Sequence, residues 1–313
     1  MGGGLVHYKS FVSDSSRWEG FAFRDGDIVI STPPKCGTTW MQMITALLVF
    51  QDPELPQPLA EITPWLDMLT SSRDEVVALL DAQEHRRFVK THTPLDGLPF
   101  DDRVTYVCVG RDPRDVAFSW DNHMANLHLE RFINARVAAV GLDDLADLGP
   151  MPVPPEDPMD RFWLWVDTDS TDATAAASLR GTLHHLATFW AAQDRPNVVL
   201  VHYSDLMRDL EGEMRLLASR LGIEVPEERW PALVEAAEFE QMKARADLVV
   251  PDSTHAIWQD NRQFFDKGGC RWRSMLTDAD LARYEARLAG IDAPADLVAW
   301  AHEGREAVTP APA

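Results

Sequence analysis

A short strand that runs directly into an amphipathic helix sets the strongest limit on how this chain folds. Residues 27–31 read Asp-Ile-Val-Ile-Ser, a β-branched apolar run typical of a strand covered on both faces in a parallel sheet. From Thr38 to Phe50, apolar side chains recur at the i, i+3, i+4, i+7 and i+8 spacing of an amphipathic helix. Residues 32–37 therefore form a strand-to-helix loop, which favours an α/β fold.

The same order of strand, turn and helix returns further along the chain. Residues 104–110 predict a strand, and the Arg-Asp-Pro turn at 111–113 predicts a helix start with proline in its first turn. Further strands are predicted at 87–91 and 198–202, and a helix at 179–193. With 313 residues, 45% of them hydrophobic, the chain fits one large domain or two smaller ones. We favour a single α/β domain over 1–313, with a central parallel sheet flanked by helices.

Charge and cysteine content narrow the range of partners. Twenty-nine Lys and Arg against 50 Asp and Glu give a formal charge of −21, which argues against nucleic-acid and anionic-membrane surfaces and favours small molecules. The three cysteines are far apart, which suggests neither a disulfide framework nor a zinc site and fits a reducing compartment. No apolar run approaches the roughly 18 residues needed to span a membrane. We expect a cytoplasmic protein without a transmembrane segment, and its oligomeric state is left open.

The periodic pattern dissolves between about residues 142 and 177. Proline-rich and Asp/Ser/Thr-rich runs flank an aromatic group at Phe162, Trp163 and Trp165, and the whole segment resembles a long loop. Loops of this length in compact domains are usually functional lids or disordered segments, and both alternatives remain open. The tail from about Val308 is expected to be frayed.

Residues 33–40, Pro-Pro-Lys-Cys-Gly-Thr-Thr-Trp, have the features of an anion site. They lie where a strand meets a helix, so backbone N–H groups and the positive end of the helix face an anion. Lys35 adds a charge, Gly37 permits close approach, and two threonines add hydroxyl donors. The usual ATPase loop differs, because there lysine directly follows the second glycine. A merely tight turn is the alternative, but this combination favours a phosphate cradle.

The loop resembles that of the cytosolic-type sulfotransferase family, which reads Tyr/Thr-Pro-Lys-Ser-Gly-Thr-Thr-Trp before a helix. The chain looks like a bacterial member of that family. The resemblance implies a P-loop-like domain and 3′-phosphoadenosine 5′-phosphosulfate (PAPS) as sulfuryl donor, with 3′-phosphoadenosine 5′-phosphate (PAP) as product. Lys35 would hold the bridging oxygen and 5′-phosphate, and Trp40 would stack on adenine. The remaining 5′-phosphate contacts would come from Gly37, Thr38, Thr39 and the backbone amide of Cys36, which replaces the family's frequent serine.

Residues 111–119 form a second motif, Arg-Asp-Pro-Arg-Asp-Val-Ala-Phe-Ser, similar to the family's Arg-Asn-Pro-Lys-Asp-Val-Ala-x-Ser. By similarity, Arg111 and Ser119 bind the 3′-phosphate. The chemistry agrees, because arginine offers bidentate donors and a hydroxyl eight positions later lies about two helical turns further along. In isolation the same run is also compatible with a solvated helix start.

Residues 88–94, Phe-Val-Lys-Thr-His-Thr-Pro, resemble the family's Lys-Thr/Ser-His-Leu-Pro segment at the end of a strand, where open α/β sheets bind ligands. The resemblance makes His92 the catalytic base, while Lys90 joins Lys35 in neutralising charge on the transferred group and leaving phosphate. A lone histidine is more often structural. The flanking Lys90 and Pro94 support the catalytic interpretation.

Two weaker segments resemble nucleotide-contacting parts of the family. Residues 202–206 are similar to Tyr-Glu-Asp-Leu/Met, which implies that Tyr203 contacts adenine. Residues 236–243 are similar to Thr-Ser-Phe-x-x-Met-Lys, which implies nucleotide contacts by Phe239 and Met242. Ala237 departs from that pattern, so one hydroxyl contact is in doubt.

Residues 264–273 resemble the family's Phe-x-Arg-Lys-Gly-x-x-Gly-x-Trp-Lys, and Lys267 and Gly268 match its nucleotide-binding positions. Asp266 stands where the family usually has a 3′-phosphate arginine, and the segment is one residue shorter. Arg271 and Arg273 are candidates to compensate.

The resemblance covers roughly residues 17–277 and implies an enzyme that moves a sulfuryl group in line from PAPS to a hydroxyl of a small-molecule or glycolipid acceptor. One alternative, motivated by Asp266, is a nucleotide-binding regulatory protein of the same fold that transfers nothing. A nucleotide kinase would need a magnesium motif that the sequence lacks. The histidines at 123, 128, 184 and 185 match no metal signature, so no metal is expected.

Overall fold

A computed structural model describes residues 4–141, 143, 153–169, 177–252, 254–265 and 271–307. Within these ranges the centre of the fold is a four-stranded parallel sheet in the order β2-β1-β3-β4. The strands are β1 Ile28–Ser31, β2 Phe88–Thr91, β3 Thr105–Gly110 and β4 Val198–His202. The predicted α/β class with a parallel sheet is confirmed, and each strand lies within one residue of its predicted bounds.

Helices cover both faces of this sheet. In chain order they are α1 Thr38–Phe50, α2 Leu59–Ile62, α3 Arg73–Ala82, α4 Pro113–Asn126, α5 Leu129–Val140, α6 Pro158–Asp167, α7 Leu179–Trp190, α8 Tyr203–Arg208, α9 Leu210–Leu221, α10 Trp230–Ala237, α11 Phe239–Ala244, α12 Ala246–Val249, α13 Trp272–Met275, α14 Asp278–Leu288 and α15 Ala295–Glu303. Among the described residues, none of the helices combines the length and the apolar character needed to cross a bilayer.

The strands are buried throughout because the sheet separates two hydrophobic cores. Ile28 and Ile30 of β1 pack in the core that contains α1, α9 and α10, whereas Val29 belongs to the core that contains α4, α7 and α15. Since successive side chains of a strand point to opposite faces, each apolar residue of β1 is covered by one of these cores. This explains why the strand reads as a continuous apolar run.

Helix α4 begins as its sequence predicts. Asp112 is the N-cap and its carboxylate accepts from the backbone N–H of Arg114, while Pro113 occupies the first turn, where its missing N–H costs nothing. The start of this helix is therefore fixed directly after β3.

The long loop predicted between 142 and 177 is wrong for its central part. Residues 158–167 form helix α6, capped by Asp157. Phe162 and Trp165 are buried on one side of it, and Phe162 stacks on Phe118 of α4 with ring centroids 5.0 Å apart. Phe162 and Trp165 of the aromatic group therefore belong to the core. Residues 142, 144–152 and 170–176 of the segment and the tail from 308 lie outside the described residues.

Candidate active site

Predicted site residues follow each of the four strands at the carboxyl edge of the sheet. The anion loop follows β1, Lys90 and His92 lie at the end of β2, Arg111 follows β3, and Tyr203 follows β4. Because the strands are parallel and adjacent, their carboxyl ends meet at one edge, where open α/β sheets place ligands.

The loop between β1 and α1 contains two residues in the left-handed region of backbone space, Lys35 at φ 68° and Gly37 at φ 101°. For a residue with a side chain, this conformation costs about 1–2 kcal/mol and usually persists at functional positions. A Cβ at position 37 would lie only 3.0 Å from the ring of Tyr203. Glycine is therefore required at 37 both by the backbone angle and by the close approach of Tyr203.

The first turn of α1 offers its amides to a ligand. Its N-cap is Gly37, which has no side chain to accept from the first-turn N–H groups, and the turn holds no acidic residue. Thr38 and Thr39 are both buried in this turn, and the hydroxyl of Thr38 lies 2.5 Å from that of Thr32. Such an end of a 13-residue helix is suited to an anion.

Cys36 turns its side chain into the core. The thiol is fully buried, and burial raises its pKa to about 12, so it remains neutral. Its backbone N–H donates to the carbonyl of Pro33 at 3.3 Å. The contact between this amide and a phosphate stays a prediction.

Arg111 joins the second motif to the anion loop. Its guanidinium donates to the backbone carbonyl of Lys35 at 2.9 Å and lies 4.4 Å from the centre of the Tyr203 ring. Tyr203 in turn meets Trp40 edge-on, with ring centroids 5.2 Å apart, and the Trp40 indole donates to the carbonyl of Ala237 at 2.8 Å. The structure thus brings four sequence-predicted residues into one connected group.

Three other residues predicted to contact the nucleotide lie on α4 and α11. Ser119 is half-buried on α4, two turns beyond the start of the helix, and Phe239 is half-buried at the start of α11, 6.2 Å from the Phe265 ring. Met242 is 3% exposed and packs in the core that contains α1.

The last motif is described only in part. Asp266, Lys267 and Gly268 lie outside the described residues. Of the two arginines considered as replacements, Arg273 packs over the Trp272 ring at 4.5 Å and Arg271 lies 5.8 Å from the Phe118 ring. Their contact with a phosphate stays a prediction.

His92 is held in one tautomer. Its Nδ1 lies 2.7 Å from the backbone carbonyl oxygen of Thr32, which can only accept a hydrogen bond, so Nδ1 carries the proton and Nε2 keeps its lone pair. Burial, together with the nearby charge of Lys90, lowers the pKa of this imidazole well below its usual value. The ring is therefore a neutral base at physiological pH.

Lys90 is a buried lysine beside that base. It is 5% exposed, and its ammonium lies 4.1 Å from the centre of the Trp65 ring, which also meets the His92 ring edge-on at 4.7 Å. Burial lowers the pKa of Lys90 to about 7, although the nearby carboxylate of Asp67 acts in the opposite direction. A modest change in its surroundings therefore decides whether Lys90 is charged.

Asp67 is a residue of the site that sequence reasoning did not identify. One of its oxygens accepts from the hydroxyls of Thr91 and Thr93, each at 2.6 Å, and from the Trp18 indole at 3.1 Å. The two threonines flank His92, so this fully buried carboxylate holds the turn that presents the base. Burial raises the pKa of Asp67. A single aspartate in the apolar run Pro-Trp-Leu-Asp-Met was the only local signal.

His123 of α4 is a second unpredicted neighbour of the reacting groups. Its Nδ1 lies 3.3 Å from the Lys35 ammonium. Burial lowers its pKa well below the usual value, and the charges of Lys35 and Lys90 act in the same direction. The same two lysines lower the pKa of His92, so two cations and two imidazoles converge here.

His184 and His185 each lie beside a hydroxyl group. His185 is buried against the Ser31 hydroxyl at 3.0 Å, and His184 lies 2.8 Å from the Tyr8 hydroxyl. In the part of the chain that the structure describes, no three His, Cys, Asp or Glu side chains are grouped as metal ligands would be.

The parallel sheet, the loop that leads into the glycine-capped helix α1, and the neighbouring Lys35 and Lys90 define a P-loop-like α/β protein. More particularly, the chain belongs to the sulfotransferase family, since the family's sulfotransferase domain matches residues 25–289.

Relatives and solved structures agree with this membership. Glycolipid sulfotransferases of Mycobacterium bovis (strain BCG / Pasteur 1173P2) and Mycobacterium tuberculosis (strain ATCC 25177 / H37Ra) are each 42% identical to this chain, and the alignments cover 98% of it and 97% of each relative. Sulfotransferase 1A1 of Rattus norvegicus is 24% identical over 91% of both chains. Retinol dehydratase in complex with androsterone and PAP superposes with a TM-score of 0.67 at 21% identity, covering 90% of this chain and 85% of that one. Mouse sulfotransferase SULT7A1 in complex with PAP also gives 0.67, at 17% identity over 95% and 99%.

Proposed function

We propose that this protein transfers a sulfuryl group from PAPS to a hydroxyl of a glycolipid or another small lipid-like acceptor. The observation that carries the proposal is the hydrogen bond from His92 Nδ1 to the Thr32 carbonyl, 2.7 Å long. It leaves Nε2 available as a base at the edge of the sheet where the anion loop begins. A binding protein would have no need of a base fixed in this way.

The donor fits the residues of the loop. A phosphosulfate needs several hydrogen-bond donors and positive charge around its two ends, and these are what the α1 amides, Thr38, Thr39 and Lys35 supply. The connected group of Arg111, Tyr203 and Trp40 offers a guanidinium and two aromatic rings for the 3′-phosphate and the adenine. Two solved relatives of the same fold are complexes with PAP, which supports this choice of donor.

PAPS supplies the activated sulfuryl group; the chain supplies the proton acceptor and the opposing charge. His92 Nε2 accepts the proton of the acceptor hydroxyl as its oxygen forms the bond to sulfur, and the bond from sulfur to the phosphate oxygen breaks on the opposite side. Lys35 and Lys90 stabilise the negative charge that passes from the sulfuryl group to the leaving phosphate. The buried surroundings of Lys90 strengthen its interaction relative to water.

The acceptor class rests on the relatives. Two mycobacterial proteins at 42% identity are glycolipid sulfotransferases, which favours an acceptor with a sugar headgroup and an apolar tail. Trp65 and Phe264, both half-buried, provide apolar surface beside His92 and Lys35 for such a molecule.

Mass spectrometry of a glycolipid extract incubated with protein and PAPS tests the proposal. We expect products heavier by one sulfuryl group, formed together with PAP, missing when PAPS is replaced by PAP, and formed about 10²- to 10⁴-fold more slowly by His92→Ala protein. Calorimetric titration with PAP runs in parallel. Binding of PAP with no transfer to any acceptor would overturn the proposal and support a non-catalytic, nucleotide-binding regulatory protein instead.

A further inference from the structure

His123 and three aromatic side chains pack together beside Lys35, and the proposed function gives His123 and Trp120 no role. His123 stacks on Trp120 with ring centroids 5.6 Å apart and packs against Trp258 at 4.8 Å and Phe264 at 5.9 Å. The Lys35 ammonium lies 4.7 Å from the Phe264 ring. We call Trp120, His123, Trp258 and Phe264 the aromatic cluster.

The cluster is built by two distant segments that are fastened together. Trp120 and His123 lie on α4, whereas Trp258 and Phe264 follow α12. Asn126 at the end of α4 exchanges two hydrogen bonds with the backbone of Asp260, 2.9 and 3.0 Å long, and the backbone N–H of His128 donates to Ile257 at 2.7 Å. These bonds fix Trp258 against His123, so the cluster does not depend on the aromatic contacts alone.

His123 is the polar member of this cluster, and its tautomer follows from Lys35. The ammonium can only donate, so Nδ1 of His123, 3.3 Å away, must accept and Nε2 must carry the proton. A neutral imidazole therefore offers one N–H donor among aromatic faces and next to the group that contacts the transferred sulfuryl. An acceptor with a single hydroxyl, such as a phenol or alkanol, uses that hydroxyl for the reaction and leaves nothing for this donor to bind.

We propose that the aromatic cluster is a sugar subsite, in which His123 Nε2–H donates to a hydroxyl neighbouring the one that is sulfated while Trp120 and Phe264, which are half-buried, pack against the apolar faces of the sugar ring. This inference rests on the proposed function and adds to it that the protein recognises the sugar headgroup of the acceptor. Ligand sites of this kind combine aromatic walls with a few placed polar groups. A site that hydrogen-bonds a substrate hydroxyl discriminates against analogues that lack it.

The test compares sugar and simple-alcohol acceptors in wild-type protein and three variants. The acceptors are octyl β-glucoside, octyl β-galactoside, the monodeoxy analogues of whichever is turned over faster, and 1-octanol. His123→Phe removes the donor but keeps an aromatic ring, and His123→Gln keeps an amide N–H close to the position of Nε2. His128→Phe is the matched control, since it makes the same change at a histidine that follows α4 and is not in the cluster. PAP affinity and Tm are measured for each variant.

We expect wild-type protein to prefer the octyl glycoside to one monodeoxy analogue by about tenfold in kcat/KM, the usual worth of one hydrogen bond. His123→Phe should abolish this preference and lower the ratio of glycoside to octanol turnover by about the same factor. His123→Gln should restore part of both, and His128→Phe should keep them.

Two results would contradict the inference. If His123→Phe protein discriminates among the monodeoxy analogues as wild type does, His123 does not hydrogen-bond the acceptor. If wild-type protein sulfates 1-octanol but neither glycoside, the cluster is not a sugar subsite, although sulfuryl transfer itself stands. Failure of every acceptor in a protein that binds PAP is a separate outcome, which removes the proposed function together with this inference.

Discussion

His92 and His123 carry their protons on opposite ring nitrogens. Nδ1 of His92 donates to the Thr32 carbonyl at 2.7 Å, whereas Nδ1 of His123 accepts from the Lys35 ammonium at 3.3 Å. Both rings are neutral, because burial and neighbouring lysines lower their pKa values. The two imidazoles are therefore not interchangeable: the first offers a lone pair and the second offers an N–H.

Replacing His92 by alanine is expected to lower turnover by about 10²- to 10⁴-fold, the usual contribution of a general base, while PAP affinity is largely kept. The reason is that Nε2 is the proton acceptor, whereas the ring contacts the loop only at the Thr32 carbonyl, ahead of the anion-site residues 33–40. Steady-state kinetics and calorimetric PAP titration measure the two effects. His128→Ala serves as a control. Turnover equal to wild type would exclude His92 as the base.

Lys35→Ala should weaken PAPS binding and also lower the rate at saturating PAPS, because the charge acts both on the bound donor and during transfer. Lys35→Arg keeps the charge but lacks the compact ammonium, so we expect only partial recovery. Pre-steady-state kinetics separate binding from the chemical step. Wild-type kinetics in Lys35→Ala would contradict its placement at the bond that breaks.

The pH dependence of kcat/KM should show two limbs of different origin. The base form of His92 exists above its pKa, which is lowered, so the acid limb should lie below the usual imidazole range. The charged form of Lys90 exists below its pKa of about 7, so activity should decline as the pH rises through that region. Lys90→Arg stays charged and should remove the alkaline limb. An alkaline limb that persists in this variant must come from another group.

Asp67→Asn should move the alkaline limb to lower pH. The Asp67 charge raises the pKa of Lys90, and an uncharged amide of the same shape no longer does so. A lower pKa means that Lys90 loses its proton, and its catalytic charge, at a lower pH. Asp96→Asn, which changes an exposed carboxyl, is the control. An unchanged pH profile in a folded Asp67→Asn protein would show that the carboxylate only supports the turn through Thr91 and Thr93.

Gly37→Ala should destabilise the protein by about 1 kcal/mol or more and reduce PAP affinity. The added methyl meets both an unfavourable φ of 101° and the Tyr203 ring at 3.0 Å, so the loop must shift. Gly20→Ala is the matched control, because its φ is 68° but nothing lies within 4 Å of the added Cβ. Thermal unfolding and PAP titration of both variants separate backbone strain from the contact with Tyr203. Equal effects in the two would mean that the Tyr203 contact is unimportant.

The sheet and the anion loop were predictable because their signals are local. Residues 27–50 contain strand, loop and helix within one continuous stretch, and a local apolar run predicts each strand. The helix at 158–167 was not recognised, since the proline-rich and aspartate-rich runs around it obscured the spacing of Phe162, Trp165 and Val166. That spacing was nevertheless the signal of a buried helix face.

The parts of the site that escaped prediction come from contacts between distant residues. Lys35 and His123 are 88 positions apart, and Asp67 is 24 positions from Thr91. Neither His123 nor Asp67 lies in a motif whose chemistry would single it out. Met242, which a motif assigns to the nucleotide, packs in the core that contains α1, and its contact with the nucleotide stays a prediction.

The position of β1 between β2 and β3 has a consequence for how such proteins diverge. Lys35, His92 and Arg111 follow the carboxyl ends of three adjacent strands. Neighbouring strands lie about 4.8 Å apart because they are hydrogen-bonded, so the spacing of these three residues depends on the sheet more than on the side chains packed around it. The outer helices can then exchange most of their residues without moving the groups at the sheet edge. Two proteins only 17–21% identical to this chain keep the same fold, as such a separation of framework from periphery would allow.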